Sequence, residues 1–135
     1  MTDQILVVEE DEDVRAVLVQ SLEDDGHEVV ASEFGPLPRG QFAVVVTDVP
    51  SCPYRSTEAR RWVGDLRERY RGARILLCTA QRFVHGEPDK LGADAIVDMP
   101  FDLADLFARV SELLGGSATP REPGLRAFAA GSSVA

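Results

Sequence analysis

Two periodicities alternate along this chain, and few folds accommodate both. Short runs of apolar, mostly β-branched residues stand at Ile5–Val8, Val29–Ala31, Phe42–Val46, Ile75–Cys78 and Ala95–Val97. The first, third and fourth are nearly unbroken in apolar residues, as strands covered on both faces require. Between the runs, apolar residues recur at steps of three and four, the spacing of one helix face. Val14, Val17, Leu18 and Leu22 form one stripe, with Gly26 following as a stop. Ala59, Val63, Leu66 and Tyr70 form a second, ended by Gly72. Leu103, Leu106, Phe107, Val110 and Leu114 form the third, opened by Asp102 as N-cap and closed by Gly115 and Gly116. The alternation predicts an α/β domain, a doubly wound five-stranded parallel sheet with helices on both faces.

Two crossovers break the pattern. Between the second and third strands the chain reads EFGPLPRG, whose prolines and glycines allow a loop or a single turn. The second crossover helix is therefore expected to be missing or minimal. Between the fourth and fifth strands, Gly86 and Pro88 predict a shortened or broken helix. After Gly116 the composition shifts, so residues 1–116 read as one domain and 117–135 as a tail. That tail is either flexible or docked on the domain through Leu125, Ala127 and Phe128.

A net charge of -9 argues against unspecific binding to nucleic acid or to an anionic membrane. A protein partner or a cation fits an acidic chain better. Two distant cysteines, Cys52 and Cys78, offer neither a disulfide scaffold nor zinc spacing. No signal peptide and no span of roughly 20 apolar residues is visible, which points to the cytoplasm.

In an open parallel sheet, ligands bind beyond the carboxyl ends of the strands. There the sequence sets Glu9 and Glu10 after the first strand, Asp48 after the third, Thr79 after the fourth, and Asp98 and Met99 after the fifth. Carboxylates from two strands beside a hydroxyl suit a hard cation such as Mg²⁺. Each acid taken alone is as readily a solvated loop start.

From Gln4 to Leu114 the chain resembles the receiver domain of two-component response regulators. ILVVEEDEDVRAVLVQSLEDDGHEV looks like the first strand, acidic pair and first helix of that family. FAVVVTD looks like its acceptor strand, ILLCTA its switch strand, and GADAIVDMPF its fifth strand with the turn into the last helix. The resemblance implies a flavodoxin-like (βα)5 fold and a phosphoryl group carried on Asp48. It further implies Mg²⁺ held by Glu9, Glu10, Asp48 and the Pro50 carbonyl, with Thr79 as the switch hydroxyl. The implied partners are signalling proteins: a histidine kinase, a phosphotransfer protein or an output protein, with a second copy of the chain as a further candidate.

The sequence also departs from that family. Met99 stands where a lysine neutralises the phosphoryl group, and a thioether brings no charge and no strong donor. Glu10 replaces an aspartate at the cation site, and Mg²⁺ tolerates little distortion of its octahedron. Ile96 replaces the rotating aromatic that reports the switch. Arg55 and Arg82 are the nearest cations able to rescue the lost charge. These departures predict a stand-alone, degenerate receiver, not an enzyme, whose metal site is weak or lost and which acts by protein–protein contact. The alternative is a working Mg²⁺-dependent receiver phosphorylated on Asp48. A flavodoxin-like nucleotide module is disfavoured, since no glycine-rich phosphate loop follows the first strand.

Overall fold

The structure is a computed structural model that describes residues 4–49, 56–79 and 92–115. Its elements in chain order are β1 (Gln4–Val8), α1 (Glu12–Asp24), β2 (Glu28–Ser32), β3 (Val44–Thr47), α2 (Ser56–Arg69), β4 (Arg74–Thr79), β5 (Ala95–Asp98) and α3 (Leu103–Leu113). All strand pairs are parallel, in the order β2-β1-β3-β4-β5. This is the expected doubly wound, flavodoxin-like sheet.

Period-two alternation sorts the strand residues onto two faces. Leu6, Val8, Val45, Ile75 and Leu77 meet Ala59, Val63 and Leu66 of α2 and Tyr70 just after it on one face. Ile5, Val7, Val46, Leu76 and Cys78 meet Leu18 and Leu22 of α1 and Leu106 and Val110 of α3 on the other. Both faces are covered, which explains why β1, β3 and β4 are apolar except at their end residues.

The helix boundaries follow from local chemistry. Asp11 caps α1, its Oδ1 accepting from the Asp13 and Val14 amides at 2.9 and 3.0 Å. Asp102 caps α3 by accepting from the Ala104 amide at 2.8 Å. At the far end of α1, Gly26 takes φ 95°, which lets its amide reach the Glu23 carbonyl and the His27 amide reach that of Leu22. Arg67 ties α2 to the turn before β5, donating to the Gly92 carbonyl and to Asp94, both at 2.8 Å. The same Asp94 oxygen accepts the Ile75 amide at 2.7 Å.

The expected gap in the second crossover is present: residues 33–43 hold no helix. Phe34, Leu37 and Phe42 from that segment cover the sheet instead. Tyr70 fastens it, its hydroxyl donating to the Pro38 carbonyl at 2.5 Å while its ring meets Phe42 edge-on at 5.3 Å. Arg69 adds a bond to the Leu37 carbonyl at 2.8 Å.

Two expectations need correction. The third strand begins at Val44, not Phe42, because Phe42 turns its ring onto Tyr70 before strand pairing starts. Val17 shares the apolar stripe of α1 yet is 51% exposed, since the helix meets the sheet through Leu18 and Leu22. The fourth crossover at residues 80–91 and the tail at 117–135 lie outside the described residues. Among those described, no helix is long and apolar enough to cross a membrane.

Candidate acceptor and cation site

Strand order reverses direction between β1 and β3, and register brings their ends together. Val8 is level with Thr47, so Glu9 and Asp48 emerge side by side. The Asp48 amide donates to the Val8 carbonyl at 3.2 Å, and the Glu9 amide to Ser32 at 3.0 Å. Thr79 ends the neighbouring β4, and its hydroxyl donates to the Asp48 carboxylate.

Glu9 is only 4% exposed. One of its oxygens accepts the Asp11 amide at 3.0 Å, while Oε1 is buried without a hydrogen-bond partner among the described residues. Burial raises the Glu9 carboxyl above its ordinary range; the Asp11 amide opposes this, and the charges of Asp48 and Asp11 reinforce it. Asp48 is half-buried and accepts the Val49 amide at 2.7 Å. Its carboxyl is also raised, again by burial first, against hydrogen bonds from Thr79 and Val49 and with the charge of Glu10 added. Glu10 itself is exposed. A buried and a half-buried carboxylate share one mouth, and no cation among the described residues lowers either one.

The next strand presents different chemistry. The Met99 amide donates to the Thr79 carbonyl at 3.1 Å, which fixes Met99 beside the mouth. Its sulfur lies 3.4 Å from Cys78 Sγ and packs among the core residues of the α1–α3 face. Cys78 is fully buried, and its thiol is pushed up to about 12 by burial and then by the charges of Asp48 and Glu9. It is an inert core group. Ile96 packs on the opposite face as an ordinary apolar residue. Pro50, Arg55, Arg82 and the Asp98 side chain lie outside the described residues.

A groove of about 650 Å³ opens beside Met99, lined by Val14, Val17, Met99, Pro100, Phe101 and Leu103. Val17 and Leu103 are its exposed apolar rim. Neither residue stood out as a surface feature in the sequence.

Two further residues near the acceptor were missed. Thr47, 1% exposed, donates to the Asp48 carbonyl at 2.6 Å and accepts the Trp62 indole N–H at 2.9 Å. A threonine closing the run VVVT was the available signal. His27 lies beside Asp25 at 3.3 Å, away from the mouth.

No protein-family model matches the chain, and no curated protein matches it in sequence. Solved structures do. TrrA of Thermotoga maritima, in complex with Mg²⁺–BeF, is 25% identical with a TM-score of 0.66, over 82% of this chain and 98% of that one. TrrA in complex with the histidine kinase ThkA gives 26% identity and a TM-score of 0.63, over 83% and 98%. The chain has the fold of response-regulator receiver domains. The chemotaxis protein CheY4 of Vibrio cholerae is likewise similar in fold, at 20% identity and a TM-score of 0.63 over 84% and 99%.

Proposed function

We propose that this receiver serves two-component signalling through protein–protein contact, with an acceptor pocket that no longer supports ordinary phosphorylation. The observation that carries the reading is the Met99 side chain, whose sulfur packs on Cys78 where the resemblance calls for a lysine. Phosphoryl transfer depends on positioning and charge stabilisation, so two acids withdrawn from solvent, with no counter-cation beside them among the described residues, work against the negative charge of the transition state. The apolar groove at Val17, Leu103 and Met99 suits an apolar helix face of a signalling partner. TrrA, which has a solved complex with a histidine kinase, makes a kinase or phosphotransfer protein the leading partner class.

Glu9 and Asp48 fit a divalent cation in part. The unpartnered Glu9 Oε1 and the raised carboxyls of both residues mark a place where positive charge is wanted. A bound Mg²⁺ would neutralise the pair; Glu10 would serve as an outer ligand from the exposed rim. These acids and the Thr79 hydroxyl favour one second reading, a slow Mg²⁺-dependent acceptor aided by Arg55 or Arg82.

The test is incubation of the full chain with acetyl phosphate and Mg²⁺, followed by intact-mass analysis. The proposed reading expects no phosphoryl adduct in the time that converts a working receiver. A Mg²⁺-dependent adduct that disappears in Asp48→Asn overturns it. Loss of that adduct in Arg55→Ala or Arg82→Ala then identifies the rescuing cation.

A further inference from the structure

The β3 strand is apolar except at its last residue, and a buried hydroxyl in such a strand must find partners. Thr47 has one proton to give and gives it to the Asp48 carbonyl at 2.6 Å. Its oxygen accepts in turn from the Trp62 indole at 2.9 Å. The direction of both bonds is fixed, because an indole N–H can only donate. Trp62 is half-buried on α2, and its ring meets Phe34 edge-on at 5.3 Å. Phe34 belongs to residues 33–43, the helix-free crossover, and together with Leu37, Trp62 and Asp65 it lines a surface cleft of about 710 Å³.

We infer that Trp62 is a positioning residue for the acceptor site: through the Thr47 hydroxyl it holds the Asp48 peptide, and it makes the Phe34–Trp62 face register the state of the pocket. A turn of the Asp48 peptide withdraws the carbonyl that Thr47 donates to. The hydroxyl then loses its acceptor, the indole loses its fixed oxygen, and the Trp62–Phe34 pair must readjust. Ile96, an apolar residue with no polar end, cannot perform that reporting role. The inference rests on Asp48 as the acceptor position but not on whether the pocket phosphorylates.

Trp62 is the chain's single tryptophan, so its fluorescence and indole N–H resonance report this place alone. The experiment compares the unsubstituted 135-residue chain with Asp48→Asn, Thr47→Val and the double variant, by emission spectra and ¹H–¹⁵N correlation. Asp48→Asn is expected to shift the indole resonance and the emission maximum when Thr47 is present. The shift is lost in the Thr47→Val background and returns with Thr47→Ser, which restores the hydroxyl. An indole signal unmoved by Asp48→Asn, or moved equally with and without the hydroxyl, overturns the inference. Should Thr47→Val fail to fold, Trp62→Phe is read at the Val49 amide, which donates to Asp48; an unmoved amide there also overturns it. The acetyl phosphate assay can succeed or fail without changing either readout.

Discussion

The mouth of the sheet has two unlike halves. On β1, β3 and β4 the side chains of Glu9, Asp48 and Thr79 converge, with both carboxyls raised by burial. On β5, the strand next to β4, Ile96 turns into one apolar layer, and Met99 just after it turns into the other. The first half is built to hold charge and the second is built to exclude it. A buried carboxylate pair is costly unless something neutralises it. The acid side of this mouth therefore depends on what β5 or a bound cation supplies, and β5 supplies sulfur.

The largest effect should come from restoring the missing charge. Met99→Lys brings an ammonium to the β5 edge of the mouth, and the rate of phosphoryl-Asp48 formation with acetyl phosphate should rise about 100-fold, the usual scale for one charge-stabilising donor. A rate unchanged from wild type would mean that Glu10 or the acceptor loop, not Met99, limits the pocket.

Removing a charge from the other half should act on stability. Asp48→Asn removes a carboxylate whose charged form burial disfavours, and in the absence of divalent ions should stabilise the fold at neutral pH. The sign follows from linkage: both carboxyls lie above the ordinary range when folded, so the native state holds its protons longer than the unfolded chain. The stability they contribute is fully present below the ordinary carboxylate range and is lost as pH rises through the raised values. The advantage of Asn therefore appears above that window and vanishes in acid. Thermal melts at acidic and neutral pH decide it, and a neutral-pH loss of stability in Asp48→Asn would contradict the charge argument.

The same contrast explains what the sequence disclosed. Strand runs, the Asp102 cap and the Gly26 and Gly115 stops depend on neighbours within a few residues, and apart from the late start of β3 at Val44 they stand where the pattern predicts. The convergence of Glu9, Asp48 and Thr79 was legible too, because parallel register carries strand ends to one edge. The loss of the second crossover helix was readable from its prolines. What stayed hidden depends on residues far apart in the chain. Trp62 reads as one more helix aromatic until its N–H is found on Thr47, 15 positions away. Tyr70 reads as packing until its hydroxyl is found on Pro38, 32 positions away. Val17 matches the helix period as well as Leu18 does; only the angle at which α1 meets the sheet leaves it at the surface.

Two smaller substitutions sharpen that division. Tyr70→Phe keeps the ring on Phe42 but removes the bond to the Pro38 carbonyl, and should cost about 1 kcal/mol in urea unfolding. A neutral result would mean that the helix-free crossover is held by apolar contacts alone. Val17→Ser is the mildest case. With Val17 51% exposed, the change should alter unfolding free energy by less than about 0.5 kcal/mol, as surface substitutions do. A loss on the scale of a core truncation, about 2 kcal/mol, would return Val17 to the interior and close the groove. A near-zero loss leaves an apolar rim beside Met99 that contributes little to folding, so its value must lie in what it contacts.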